Sequence, residues 1–197
     1  MLKFRKYVAI AAVGVVTLAS TPAFATEFGM VDMQELSKKS TAIASLNKQV
    51  EEANAKKTTD AQEKDKALAK EGEEIKKQRN VLAQDAFAKK AQEFDDKVKK
   101  IRGEFEERTR VLQAAYATAL NQAQKVTLEI VKGLADQKKI DAVLPKGGLL
   151  YAKDSMDITD EVVKELNKKL PDVKLDLAKA KEDSKESKEE SKDDKKN

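Results

Sequence analysis

The sequence has no cysteine, no histidine and no tryptophan, and only three prolines in 197 residues. Without cysteine, the fold has neither disulfides nor thiolate metal ligands. Without histidine, it lacks the commonest general base and the commonest metal ligand. It also lacks a glycine-rich loop for a phosphate, and we interpret Gly147-Gly148 as a turn. We therefore expect a protein that is not an enzyme and that uses no cofactor and no metal.

One acidic cluster deserves a separate test, because carboxylates alone can bind calcium or transfer protons. Its members are Asp154, Asp157, Asp160 and Glu161. Their spacing matches no calcium-binding loop. Thr159 followed by two acidic residues is typical of a helix start, so we interpret the cluster as helix capping with Thr159 as N-cap.

Proline is absent from the 122 residues between Pro22 and Pro145, and the stretch from Gln34 to Lys132 has only two glycines, Gly72 and Gly103. A proline inside a helix costs about 3 kcal/mol. The omission therefore predicts a very long helical element. We further predict that the two glycines let this element bend.

Apolar residues recur along this element at helical spacings, which predicts a seam against a partner helix. The first series is Leu36, Ile43, Leu46, Val50, Ala53, Ala61, Leu68, Ile75 and Leu82, and the second is Phe87, Ala91, Phe94, Val98, Ile101, Phe105, Leu112, Ala115 and Ala119. The five-residue step between the series breaks the pattern and predicts a turn near residues 84–86, with Asp85 as N-cap. Two arms of about 50 residues would give an antiparallel hairpin about 70 to 75 Å long. One straight helix of about 100 residues is the alternative.

Short apolar segments flank the helical element and predict a small β body. Glu27 to Asp32 suits one strand, whereas Ile140 to Leu144 and Leu149 to Tyr151 suit a β-hairpin closed by the intervening turn. A helix from Thr159 should end before Pro171. The predicted fold is thus mostly α with a small β body. Three short strands do not make a stable sheet alone, so we expect copies of the chain to complete it.

The two termini are predicted to lie outside this fold. Residues 1–25 read as a signal peptide with basic residues Lys3, Arg5 and Lys6, an apolar run and a cleavage site after Ala25; an uncleaved anchor is the alternative. Cleavage would leave a nearly neutral chain with 36 basic and 35 acidic side chains. Residues 171–197 are predicted to be a charged, disordered tail, and residues 178–197 contain no Leu, Ile, Val or Phe, so they are interpreted as solvated and either disordered or loosely helical.

Charge is distributed unevenly along the predicted hairpin. Between Ile75 and Arg102, around the predicted turn, nine basic residues face four acidic ones: Lys76, Lys77, Arg79, Lys89, Lys90, Lys97, Lys99, Lys100 and Arg102. The rest of both arms is slightly acidic. Either this is a solvated face, or the positive tip attracts an anionic partner with a force that salt would screen.

Three segments in this order resemble the Skp/OmpH family of periplasmic chaperones over about Glu27 to Leu170. They are Gly29-Met30-Val31-Asp32; Val81 to Gln84 with Phe87 to Phe94; and Leu150-Tyr151-Ala152 with Asp157 to Val162. The resemblance implies a homotrimer with a β body from residues 26–33 and 136–170, and three helical tentacles from residues 34–135 around a cavity. It implies a periplasmic, ATP-independent holdase for unfolded outer-membrane proteins, with no nucleic-acid partner. Apolar side chains such as Ala61, Leu68, Ala91 and Phe94 would then offer client contacts.

A basic patch for lipopolysaccharide is a further implication of the resemblance, and its nearest match is Lys97, Lys99, Lys100 and Arg102. Two other classes of function stay open. A coiled-coil spacer of the envelope would predict a parallel rod without a turn. A binding module for an anionic surface, such as lipopolysaccharide or phospholipid, would use the basic tip alone.

Overall fold

The computed structural model describes residues 26–184, which form a long antiparallel helical hairpin on a small base. The elements in chain order are β1 Phe28–Val31, α1 Met33–Lys39, α2 Thr41–Gln78, α3 Gln84–Lys138, β2 Ala142–Pro145 and α4 Thr159–Lys169. Two 3-10 turns, Lys146–Gly148 and Asp154–Met156, lie between β2 and α4. We call the end that contains the strands and α4 the root, and the end around the turn between α2 and α3 the tip. The predicted signal peptide and residues 185–197 lie outside the described range.

The chain reverses over residues 79–83, so the alternative of one straight helix is excluded. The reversal lies just before the predicted turn, and the predicted N-cap at Asp85 is wrong. Ala83 is at the cap position without a side-chain hydrogen bond, and Asp85 lies in the first turn of α3. A carboxylate there is still stabilised by the partial positive charge of the helix start, which explains why the residue resembled a cap.

The two long helices are less equal than predicted, with 38 residues in α2 and 55 in α3. Ser40 accounts for part of the difference, because it separates the seven residues of α1 from α2. Its amide donates to the Leu36 carbonyl and ends α1, while its hydroxyl accepts from the Ile43 amide and starts α2. At a rise of about 1.5 Å per residue, α2 spans about 57 Å, which is shorter than predicted.

The apolar seam predicted from the spacing is confirmed, because every residue of both series is buried or half-buried. Burial is complete only toward the root, where Ile43, Leu46, Ala115 and Ala119 are enclosed. Toward the tip, from Ala53 to Phe105, the seam is half-buried. Two helices alone cover each other on one side only, so the arm has a seam but no enclosed core.

The predicted β-hairpin is wrong. Strand β2 pairs in parallel with β1, in a register that runs from Phe28 opposite Ala142 to Val31 opposite Pro145. Leu149 to Tyr151 is not a strand, and the Leu150 and Tyr151 side chains are exposed. Gly29 allows the parallel pairing, since a Cβ there would lie 3.1 Å from Cδ1 of Ile140.

Helix α4 closes the root by packing Val162, Val163 and Leu166 against Leu36 and Ile130. The predicted N-cap role of Thr159 is also wrong, because Ile158 is at the cap position. The Thr159 hydroxyl instead accepts a 2.8 Å hydrogen bond from the Asp32 amide and donates to Asp157. It thereby joins the end of β1 to the start of α4 across 127 residues of chain.

The prediction of a disordered tail is wrong for residues 171–184, and the helical alternative fits residues 178–184. We call residues 172–184 the strap, because they lie across the root end of α2 and α3. Val173 is buried against Leu46 and Ala119, and Ala180 is buried against Val111 and Ala115. Residues 177–184 are helical. The composition of the last 20 residues concealed the strap, because its anchoring apolar residues precede them.

Candidate functional site

Four of the nine predicted tip residues have polar partners within the hairpin. Lys97 bridges the arms to Glu71 at 2.5 Å, and Lys90 donates to Gln78 across the turn at 2.6 Å. Lys76 pairs with Glu73 at 2.8 Å and Lys99 with Asp96 at 3.8 Å, each along its own helix. The carboxylate hydrogen bond raises the pKa of Lys76. The side chains of these four residues therefore make polar contacts within the arm itself.

The other five tip residues are exposed and make no ion pair within residues 26–184: Lys77, Arg79, Lys89, Lys100 and Arg102. Val81 lies in the turn near Lys77, Arg79 and Lys89 in the chain, with 82% of its surface exposed, whereas Lys100 and Arg102 lie about 24 to 27 Å along α3 from the turn. All nine cations are exposed, and the structure divides them into four with polar partners on the hairpin and five without an ion pair in the described residues.

Midway along the arm, two ion pairs join the helices. Lys64 lies 3.0 Å from Glu104, and Arg108 lies 2.8 Å from Asp60. Both cations lie over the ring of Phe105, at 5.4 and 5.6 Å from its centroid. The hydrogen bond from Lys64 lowers the pKa of Glu104. Polar contacts thus compensate for the thin apolar seam in holding the arms together.

The apolar side chains expected to offer client contacts lie in the seam between the arms. Ala61, Leu68, Ala91 and Phe94 are all half-buried there. The Phe94 ring covers Gly72, where an added Cβ would lie 3.4 Å from the ring. Gly103 has nothing within 4 Å of such a Cβ. The two glycines therefore differ, since only Gly72 has a packing neighbour.

The predicted lipopolysaccharide patch lies on α3, where two of its four members already have acidic partners. Lys97 and Lys99 are paired with Glu71 and Asp96, which leaves Lys100 and Arg102 facing solvent. Binding of lipopolysaccharide stays a prediction.

An apolar groove of about 410 Å³ opens at the root between α1, α3 and β2. Three of its lining side chains are large, apolar and substantially exposed: Met33 at 51%, Leu128 at 55% and Leu144 at 37%. Phe28 on β1 is 42% exposed. Contiguous apolar surface of this kind marks an interaction site.

A second groove, which we call the side groove, has a volume of about 1000 Å³ and runs between α2 and α3 next to the strap. Ala53, Val111 and Leu112 line its wall, and Leu175 and Leu177 of the strap close its root end. Charged side chains form its rim: Glu52, Lys56, Lys57, Asp60, Glu104, Arg108 and Lys181. This groove was not predicted from the sequence. The period-two spacing of Val173, Leu175 and Leu177 was the available signal.

The acidic cluster has a structural role at the root. The Asp157 carboxylate accepts from the Thr159 amide at 2.9 Å and from Nζ of Lys146 at 2.7 Å. Burial alone would raise the pKa of Asp157, but the hydrogen bonds from Lys146 and Thr159 outweigh it and lower the pKa. No group of three or more metal-ligating side chains exists in the part of the chain that the structure describes. Nor does any helix of that part combine the length and apolarity needed to cross a membrane.

Comparison with known proteins identifies both a family and a fold. The family model for outer membrane protein (OmpH-like) matches residues 27–166. The crystal structure of an OmpH-like outer membrane chaperone from Caulobacter crescentus CB15 superimposes with a TM-score of 0.70 at 16% identity. The match covers 89% of this chain and 96% of that one. No curated protein matches the chain.

Proposed function

Since this chain belongs to the Skp/OmpH family of outer-membrane chaperones, we propose that it is a periplasmic holdase that acts without ATP. It would hold unfolded outer-membrane proteins between helical arms and so prevent their aggregation before insertion. The observation that carries the proposal is the set of five exposed cations without an ion pair in residues 26–184, of which Lys77, Arg79 and Lys89 lie within eight residues of exposed Val81 in the turn. Such a surface attracts acidic segments and contacts apolar ones weakly, as reversible holding requires.

A cavity needs more than one arm, and we propose that three copies of the chain supply them. The apolar groove at the root supports this, because Met33, Leu128 and Leu144 expose surface that a neighbouring copy would cover. The two-stranded sheet supports it too, since sheets this small are completed by packing or by further strands. The native mass of the assembly, measured by light scattering after size exclusion, tests the trimer. A monomer or dimer would contradict it.

The spacer alternative fits less well, because it predicts a parallel rod and the helices instead reverse at residues 79–83. A hairpin that returns to its own root presents its turn to partners. The proposed role uses that turn.

The direct test dilutes an unfolded outer-membrane barrel protein from denaturant and follows its aggregation by light scattering at low and high salt. The mature chain should suppress scattering near one trimer per client, and less well at high salt. A tip variant changes five residues to Gln: Lys77, Arg79, Lys89, Lys100 and Arg102. Because tip charges steer the encounter, we expect it to need several-fold more protein at low salt.

The matched control instead changes five exposed lysines at the root, outside the strap, to Gln: Lys38, Lys132, Lys153, Lys164 and Lys168. It changes the net charge equally, so it should behave as the unchanged chain does if the tip is the binding surface. No suppression by the unchanged chain at any stoichiometry would overturn the holdase proposal. Equal loss in both variants would overturn the role of the tip.

A further inference from the structure

The first part of the strap is extended and alternates apolar with charged residues. Val173, Leu175 and Leu177 are separated by Lys174 and Asp176. Alternate side chains of an extended chain point to opposite sides. Val173 is accordingly buried and Leu175 half-buried against the hairpin, whereas Lys174 and Asp176 face solvent. The hairpin therefore accepts an extended segment through one of its two faces.

Gln49 on α2 binds the main chain of this segment. Its Nε2 donates to the Val173 carbonyl at 2.8 Å, and its Oε1 accepts from the Leu175 amide at 2.9 Å. A neighbouring β-strand would make the same pair of bonds to residues i and i+2 of an extended chain. Such contacts depend on the extended backbone and not on which side chains it carries.

The strap runs along the side groove, with Leu175, Leu177 and Lys181 in its lining and the Ser184 hydroxyl donating to the Glu107 carboxylate at 3.2 Å. Ala53, Val111 and Leu112 form the apolar part of its wall, and Ala180 of the strap covers Val111. Leu177 remains 41% exposed. The groove thus has apolar surface, a main-chain binding residue and a volume of about 1000 Å³.

We infer that the side groove binds extended peptide segments with apolar side chains at alternate positions, and that the strap is its tethered occupant. The inference rests on the proposed function, because strands of outer-membrane barrels carry this alternation. A client segment would displace residues 172–177. The family match ends at residue 166, and the strap lies outside the matched range.

Tethering determines which partners can displace the strap. A tethered segment competes at an effective concentration in the millimolar range, so a single weak segment does not displace it. An unfolded barrel protein offers many alternating segments at once and therefore competes by avidity. Rebinding of the strap would then favour release of the client without ATP.

The test uses the full mature chain with Val173→Ser and Leu175→Ser, which removes the two apolar anchors and keeps the charge. The probe is a fluorescent peptide that copies residues 171–180, and its binding is measured by anisotropy. Because the tethered competitor is gone, the variant should bind the peptide at least about tenfold more tightly than the unchanged chain. Faster tryptic cleavage after Lys179 would verify release of the strap. A peptide of the same composition without the alternation should bind the variant no more tightly than it binds the unchanged chain.

The matched control is Lys174→Ser with Asp176→Ser, which alters the exposed face of the same segment without changing the net charge. It should leave both cleavage and peptide binding unchanged. A third variant, Gln49→Ala, should release the strap without improving peptide binding, because both occupants need the same main-chain contacts. Circular dichroism checks that each variant folds.

A released strap with unchanged peptide affinity would overturn the inference and leave the strap as a structural joint. An equal gain in the Gln49 variant would overturn main-chain recognition. Failure of the unchanged chain to suppress aggregation would instead overturn the proposed function. Peptide binding by the released variant is read independently of that assay.

Discussion

The root and the tip of the hairpin are built from the same two helices but are held together differently. At the root, Leu46, Ala119 and Ala123 are almost fully enclosed, because Val173 and Leu175 of the strap and Leu170 pack against the same cluster. Toward the tip, Leu68, Ile75 and Phe94 are half-buried, since only the opposite helix covers them. Ion pairs such as Lys64 with Glu104 join the arms there.

The comparison shows how one heptad pattern can serve two mechanical roles. Burial on several sides gives the root most of the free energy of folding, whereas the arm depends on a narrow seam and on solvent-exposed ion pairs, which contribute little each. Local opening should therefore begin at the tip. Under the proposed function, an arm that yields at its tip would suit clients of different sizes.

The largest expected effect concerns the buried side chains of the root. Leu46→Ala removes a fully buried side chain at the root and should lower the free energy of unfolding by about 2 to 5 kcal/mol. Leu68→Ala, the matched change in the half-buried seam, should cost clearly less. Urea unfolding followed by circular dichroism measures both. Equal losses would show that the seam is packed as tightly as the root.

The second expected effect concerns the polar contacts that close the root. Thr159→Val keeps the side-chain volume but leaves the Asp32 amide without its acceptor, which should cost about 1 to 3 kcal/mol. Thr118→Val at an exposed position of α3 is the control and should be nearly neutral. A thermal unfolding temperature that is equally lowered in both variants would refute the role of the Thr159 hydroxyl.

The third expected effect is a pH dependence of the stability of the root. The pKa of Asp157 is lowered in the folded state, so its contribution to stability is present above its ordinary pKa near 3.8 and is lost as the pH falls below that value. Unfolding free energies measured between pH 7 and pH 3 should therefore fall in acid. In Asp157→Asn this decline should be shallower. An unchanged slope in that variant would assign the acid sensitivity to other carboxylates.

The smallest expected effect concerns the glycines of the arms. Gly103→Ala should raise the free energy of unfolding by about 0.5 to 1 kcal/mol, because the added methyl meets no neighbour and the unfolded chain loses freedom. Gly72→Ala should gain less, since its methyl must fit against Phe94. If both glycines let the arms bend, the double variant should narrow the size distribution in solution scattering. An unchanged distribution would remove that role.

Local patterns predicted what depends on residues close together in the chain. The apolar spacing placed Leu36, Leu82 and Phe105 on the correct faces, because helical periodicity alone decides the face. Pairing between distant segments was predicted poorly. Turn residues favoured a hairpin after Leu144, but β2 pairs with β1 across more than 100 residues, where Gly29 leaves room for it.

The candidate site, like the fold, was predicted from the sequence only in its local features. The positions of the charged residues in the sequence predicted the basic tip. Which of its cations have acidic partners depends on whether Glu71, Glu73 and Asp96 lie within ion-pair distance in the fold. The strap was missed because its apolar residues are few and its contacts with Ser45 and Gln49 lie more than 120 residues away in the chain.

The sequence by itself determined that this protein is a long helical hairpin with a positive tip, because proline omission, heptad spacing and charge are properties of neighbouring residues. The tertiary structure alone decided how the root closes and what lies against it. Three kinds of contact join segments more than 100 residues apart: the parallel pairing of the strands, the hydrogen bond between Thr159 and Asp32, and the hydrogen bond of the strap to Gln49. Such contacts depend on shape and burial in the folded chain, which no local pattern encodes.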